Sequence, residues 1–375
     1  MLHIGITIGL RQSDETIWSN GIKQTAVVFA KLLKASPKRH KVTLVNTSTV
    51  PITKQIPWDL LQYPTLQFDV VKDELDVLLV MGGAISQESL DALKARGTKV
   101  VSFRLGSEYF VSMERIIFDQ KSHDARPVHL VGFDQMWLIP QVWEANHAYL
   151  QVLHQLSSAQ LKQVPFVWDP MFIEDYAMTQ QLVDKGEYRP RAGPKRLSCF
   201  EPNINVLKTF IYPLLIAETV YRQSPQDIAY MSVLGSQHFR ENEEFLGLIE
   251  HLQIVTTKGK CYFEDRYITP WFLAMHTDVV LSHQIFNPLN NLTLEVAWLG
   301  YPLVHNSHMC PDLGYYYEGF DVAQGAQMLS HAIHKHDERW EAYREQSRAT
   351  IAQYLPNNPT LVTAYDALLV GLFTT

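Results

Sequence analysis

The sequence is poor in cysteine, modest in charge and without a long apolar run. Its 375 residues include three cysteines, Cys199, Cys261 and Cys310, widely spaced and odd in number. That pattern excludes a disulfide framework and a clustered zinc site, and it suits a reducing compartment. No uninterrupted apolar stretch is long enough to span a bilayer. A transmembrane segment is therefore not expected, and peripheral contact with a membrane face stays open. The opening MLHIGITIGL is too short and lacks the basic start of a signal peptide, so the expected location is the cytoplasm. A net charge of -7 lacks the basic excess of a general nucleic-acid binder and leaves room only for a local basic groove. What is present is apolar: 46% hydrophobic and 11% aromatic residues against 19% charged, which excludes a mainly disordered chain. At this length two domains are expected. There is neither an internal repeat nor a low-complexity tract.

Strand and helix patterns alternate along the chain. In the first half, strands are predicted at 3–8, 41–45, 76–81, 99–103 and 134–139, with helices at 21–33 and 86–96. Alternation of this kind implies a parallel sheet covered on both faces, with ligands beyond the carboxyl ends of its strands. The stretch Val164-Pro-Phe-Val-Trp-Asp-Pro170 interrupts the pattern, and 185–194 is polar and rich in Gly and Pro. These features divide the chain into a domain at 1–170, a linker at 171–194 and a second domain at 195–355. A final helix at 356–375 is expected to pack back on the first domain. In the second domain strands are predicted at 196–200, 228–233 and 279–281. A further strand opens at Pro302, and helices are expected from 206, 242, 270 and 321.

The most informative stretch runs from Asp278 to Asn306. The run Val279 to Leu281 reads as a buried strand and 282–290 as a polar loop. Asn290 or Asn291 can cap a helix bearing Leu292, Leu294, Val296, Ala297 and Leu299, with Gly300 at its C′ position. A helix N-terminus following a parallel strand is a ready anion site, because free N–H groups and the helix dipole meet there. The segment Leu294-Glu295-Val-Ala-Trp-Leu-Gly300-Tyr-Pro302-Leu-Val resembles the donor half-site of GT-B glycosyltransferases. That resemblance implies an α/β fold of two Rossmann-like domains facing a cleft. It implies Glu295 as the ribose ligand, with Asn290, Asn291, Leu292 and Thr293 lining the diphosphate. Many retaining members carry a second Glu eight residues earlier. Here that position is Asn287, which tilts the reading towards an inverting enzyme. The phrases Glu201-Pro-Asn-Ile-Asn-Val-Leu-Lys-Thr209, Ser282-His-Gln and Gly314-Tyr-Tyr-Tyr also resemble a poorly characterised bacterial family of GT-B type.

Other candidates carry two readings each. Asn20 and Gly21, in Trp18-Ser-Asn-Gly-Ile-Lys-Gln24, form either a turn that lets backbone approach a donor or acceptor, or an ordinary cap. Asn203, Asn205 and Lys208 suit a phosphate at a strand's carboxyl end, with Lys208 neutralising the leaving group. Otherwise the two asparagines are turn residues and Lys208 is a solvated helix residue. Ser282 and His283 end a strand beside the anion site, although a lone His is more often a satisfied core residue. Lys260 and Arg266 are further cations. An inverting transfer needs a general base; Glu108 has the best position, with Asp14, Glu15 and His147 as rivals. His331, His334 and His336 do not share one helical face, so they read as a solvated helix terminus and not a metal site. The metal-chelating Asp-x-Asp of the other large glycosyltransferase fold is missing. No cofactor and no essential metal are expected beyond a nucleotide-sugar co-substrate.

The resemblance therefore implies transfer of a sugar from a nucleotide-sugar donor to an acceptor hydroxyl, with an envelope glycan as the acceptor class. A nucleotide-sugar 2-epimerase on the same scaffold and a non-catalytic nucleotide- or sugar-binding module are the rivals. DNA as the acceptor is disfavoured by the acidic balance.

Overall fold

The computed structural model describes residues 1–12, 15–19, 21–53, 56, 58–118 and 130–374. Contacts divide the chain into two units. The first comprises Met1–Asp169 with Gln353–Thr375, and the second Pro170–Ala352.

Each unit is built on one parallel sheet. In the first, β1 (His3–Ile8), β2 (Lys41–Asn46), β3 (Thr65–Gln67), β4 (Val77–Gly82), β5 (Lys99–Arg104), β6 (Gln135–Leu138) and β7 (Leu161–Gln163) lie in the order β3-β2-β1-β4-β5-β6-β7. The run HIGITI in β1 is buried at every position, as expected for a strand covered on both faces. Order reverses between β1 and β4. There the Thr7 hydroxyl donates to Gly83 O at 2.7 Å and accepts from the Met81 and Gly83 amides. A Cβ on Gly83 would sit 2.9 Å from Ile8 O and would also meet the Thr47 hydroxyl, so this close approach requires glycine.

In the second unit, β8 (Lys195–Cys199), β9 (Ile228–Val233), β10 (Cys261–Phe263), β11 (Val279–Leu281), β12 (Leu303–His305) and β13 (Tyr315–Tyr316) lie in the order β10-β9-β8-β11-β12-β13. All the pairings among these named strands are parallel. Order reverses between β8 and β11. One face packs Leu197, Cys199, Val279, Leu281 and Val304 against the helices Ile211–Gln223 and Val322–Lys335, through Leu214, Ala217, Val220, Ala326 and Leu329.

The helix Pro359–Gly371 belongs to the first unit. Its Tyr365 is fully buried, with ring centroids 4.7 Å from Phe29 and 5.9 Å from Trp137. The neighbouring Asp366 accepts from the Ser36 hydroxyl at 2.8 Å and from His40 Nε2 at 3.2 Å.

Several expectations are corrected. Residues 171–194 are no separate linker: they include the helix Met171–Thr179 and fall within the second unit. That segment is fastened there by Glu187 to Arg344 and Arg348, and by Tyr188 to Asp337. The helix expected from Val206 begins at Ile211. Asn203 holds a left-handed conformation (φ 54°) and Asn203 Oδ1 accepts the Phe210 amide at 2.8 Å, which keeps 203–210 as a folded loop. His336 is buried, its ring between the Tyr315 hydroxyl (3.0 Å) and Gly300 O (3.1 Å), so it is not part of a solvated terminus.

Candidate functional site

The carboxyl edge of the second sheet gathers most of the candidate residues. β11 ends at Leu281; the Ser282 amide still reaches Val304 O of β12 at 2.9 Å, and two residues on the Gln284 amide turns to the Asn306 side chain. The chain then crosses 282–290 and enters the helix Asn291–Trp298. Asn290 is the N-cap, its side chain accepting the Leu292 amide at 3.3 Å. Gly300 follows the helix with φ +83°, the left-handed turn that favours glycine. Along this short helix Thr293, Leu294, Glu295, Val296 and Ala297 are all buried.

Glu295 is 6% exposed, and its carboxyl makes no hydrogen bond among the described residues. Burial alone pushes it up to about 7 from an ordinary 4.5. In the first turn of the same helix the Thr293 hydroxyl is buried without a partner among the described residues. Asn287 turns inward, its amide donating to Gln284 Oε1. Unmet polar capacity of this kind at a helix start fits a ligand carrying hydroxyls and negative charge.

His283 is fully buried. Its Nδ1 meets the Tyr317 hydroxyl at 2.9 Å and its ring stacks on Tyr212 at 4.3 Å, while Nε2 has no partner among the described residues. Burial lowers it to about 4, so it is neutral at pH 7. Asn203 and Asn205 act within the loop. Asn203 Nδ2 donates to Glu201 O and Leu234 O, and Asn205 Oδ1 accepts the Leu207 amide. Lys208 is not the helix residue of the alternative reading. It lies in the loop, paired main chain to main chain with Gln284. Ser282 donates its hydroxyl to Glu201, a residue that pattern reading passed over as part of a turn. An acidic residue directly after a strand was the available signal, but only the fold shows that it is 1% exposed.

Arg266 follows β10 and acts electrostatically on Lys208. Lys260 is removed from this group: it precedes β10, and its Nζ donates to Ile228 O at the amino end of β9.

At the carboxyl edge of the first sheet, Glu108 opens the helix Glu108–Ile117. Arg104 Nη1 lies 3.1 Å from its carboxylate, which is 21% exposed. Glu15 pairs with Lys23 and accepts the Arg11 amide at 2.7 Å. His147 sits within the helix Pro140–Leu153, bonded to Trp143 O and stacked on the Trp143 ring. Gly21 begins the helix Gly21–Lys34. Asn20 and Asp14 lie outside the described residues.

Comparison with solved structures identifies the fold. Sucrose-phosphate synthase of Thermosynechococcus elongatus matches with a TM-score of 0.55 at 12% identity, over 100% of this chain and 99% of that one. Anabaena Alr3699/HepE, in complex with UDP and glucose, matches at 0.53 and 13%, over 100% of both chains. WaaG, a glycosyltransferase involved in lipopolysaccharide biosynthesis, matches at 0.51 and 11%, over 99% of this chain and 100% of that one. These likenesses show the GT-B fold, with its two parallel α/β sheets. No curated protein matches the sequence. A family model described as a protein of unknown function, DUF2827, matches residues 4–369.

Proposed function

This chain belongs to the DUF2827 family, and we propose that it is a glycosyltransferase which moves a sugar from a nucleotide-sugar donor to an acceptor hydroxyl. The observation that carries the reading is Glu295, a buried carboxyl with no partner among the described residues, on the helix that follows β11 and its loop. A carboxylate so placed is a strong acceptor for a pair of ribose hydroxyls. The helix N-terminus, with Asn290, Asn291, Leu292 and Thr293, would hold the diphosphate, and Lys208 would balance the charge that develops on it as the sugar leaves. The UDP seen in Anabaena Alr3699/HepE supports a nucleotide of this class.

Inversion is the proposed stereochemical course, because position 287 is an asparagine whose amide is tied to Gln284. Glu108 is the proposed general base. No essential metal is invoked, since the helix dipole and Lys208 supply the positive potential. The acceptor is proposed to be a glycan of the envelope class.

Calorimetric titration with UDP, GDP, dTDP, ADP and CMP, without added metal, is expected to show saturable binding of one of them. A folded sample that binds none would remove the donor-site reading. Conversion of the donor with no acceptor present would instead indicate an epimerase. Once a donor is known, Glu108→Gln is expected to lower turnover by about a hundredfold or more while leaving donor affinity within about twofold. Near-normal turnover would eliminate Glu108 as the base.

A further inference from the structure

Three phrases singled out in the sequence meet at one side chain of the second unit. Ser282-His-Gln follows β11, Gly314-Tyr-Tyr-Tyr runs through β13, and the phrase at 201–209 leads into the helix Ile211–Gln223, whose second residue is Tyr212. Together they bring Tyr212, Tyr317 and Phe320 around His283. Its ring lies 4.3 Å from the Tyr212 ring and 5.0 Å from the Phe320 ring, and its Nδ1 is 2.9 Å from the Tyr317 hydroxyl.

Two other buried histidines of this unit show how a satisfied ring is arranged. His336 takes the Tyr315 hydroxyl at Nδ1 (3.0 Å) and meets Gly300 O from Nε2 (3.1 Å). His305 uses both nitrogens as well, on Leu313 O and the Ser307 amide. His283 repeats the tyrosine half of the His336 arrangement. No oxygen stands at its Nε2 among the described residues.

The geometry also fixes the tautomer. The Tyr317 hydroxyl has two acceptors within reach, His283 Nδ1 at 2.9 Å and Ser282 O at 3.5 Å. The second is too long for a good O–H···O bond. The hydroxyl therefore donates to Nδ1, and the proton of the neutral ring sits on Nε2. A buried N–H without an acceptor bears its desolvation cost in full, and a phenylalanine would fill the same space without it. The surroundings favour an anionic oxygen as the acceptor. Tyr212 stands in the first turn of a 13-residue helix that has no side-chain cap, where amide N–H groups and the helix dipole attract negative charge. Phe320 is 53% exposed and follows Gly319, so it is the ring placed to turn aside and admit a ligand.

We propose that His283 is a neutral hydrogen-bond donor for a phosphoryl oxygen of a bound ligand, reached when Phe320 turns aside, and that Tyr317 is a positioning residue which holds the imidazole in its Nε2–H form. Identifying that ligand as the diphosphate of a nucleotide sugar rests on the function proposed above; the Tyr317–His283 arrangement does not.

The test follows the imidazole directly. The ring nitrogens of 15N-histidine are observed by NMR in the full-length protein at pH 7, with His283→Gln assigning the signals. Nδ1 is expected to appear as an acceptor and Nε2 as protonated; the Nδ1–H form in the wild type would overturn the proposal. Tyr317→Phe keeps the ring and loses the hydroxyl, and it is expected to leave a mixture of both forms. An unchanged tautomer would remove Tyr317 as the positioning residue, because a packing role alone would not set the proton. If Tyr317→Phe does not fold, a Tyr317 hydroxyl proton coupled to Nδ1 must be seen in the wild type or the positioning role fails.

Inorganic pyrophosphate supplies the second readout. It is expected to shift the Nε2 signal and to bind about tenfold more weakly to His283→Leu. His283→Gln places an amide N–H near the position of Nε2 and is expected to stay within about threefold of wild type. Adding Tyr317→Phe to His283→Leu is expected to cause no further loss. Absent pyrophosphate binding, or binding that leaves Nε2 unmoved, would overturn the ligand role. An Nε2 shift with pyrophosphate in a protein that binds no nucleotide would retain this proposal and remove the donor reading. Nucleotide binding with an unmoved Nε2 would do the reverse.

Discussion

Glu295→Gln is expected to make the second unit more stable above pH 7 and, in the same protein, to weaken nucleotide binding by about ten- to hundredfold. Both effects have one cause. Below pH 4.5 the folded and unfolded chains both hold this proton. Between 4.5 and about 7 the unfolded chain releases it while burial keeps it on the folded chain, so stability falls with rising pH and levels off above the folded value. At pH 8 the wild-type carboxylate is ionised in a dry site without a partner, a cost of up to about 3 kcal/mol that the neutral amide avoids. The amide also offers the ribose a weaker, uncharged acceptor, and the lost charge-assisted hydrogen bonds set the binding loss. Thermal unfolding at pH 5 and pH 8, paired with nucleotide titration, reads both. The wild-type slope is expected to flatten without vanishing, because burial also raises Glu201 to about 7. Unchanged nucleotide affinity would remove Glu295 from the site. An unchanged slope would mean that its carboxyl is not buried without a partner in solution.

Tyr365→Ala is expected to cost the first unit about 3–5 kcal/mol, the scale of large-to-small changes in a packed core. The ring fills the space bounded by Phe29, Phe103 and Trp137. Its hydroxyl donates to Pro165 O, so the truncation also removes the partner of a part-buried carbonyl. Trp137 is fully buried beside it and reports the change by fluorescence during denaturant unfolding. Tyr365→Phe, which keeps the ring and loses only the hydroxyl, is expected to cost about 1 kcal/mol. An alanine variant within about 1 kcal/mol of wild type would show that the helix Pro359–Gly371 does not complete this core.

The parts of the fold legible in the sequence were those with strong local signals. The run Val279 to Leu281 is a strand, Asn290 caps the helix after it, and Gly300 closes that helix in the left-handed turn. Each depends on residues a few positions apart. What pattern reading missed depends on distant partners. β13 is a two-residue pairing of Tyr315 and Tyr316 with Val304 and His305, too short to carry a period. The helix predicted from Val206 starts later because Asn203 reaches across the loop to Phe210. The site divides in the same way. Glu295 is a candidate through the resemblance of its motif, and the structure adds that it is buried. The importance of Glu201 appears only when β8 and β11, which lie far apart in sequence, become neighbours and bring Ser282 and Gln284 onto it.

The first unit is interrupted at Asp169 and resumes at Gln353. During synthesis its seven strands leave the ribosome long before the helix Pro359–Gly371 that seals their core. The second unit, uninterrupted from Pro170 to Ala352, has all its parts earlier. Of the two units, the one begun first is thus completed last, and until then the rings of Phe29 and Trp137 wait without Tyr365. Translation that stops short of that helix damages the interrupted unit more than the uninterrupted one, and an unsealed core of this kind is exposed to aggregation.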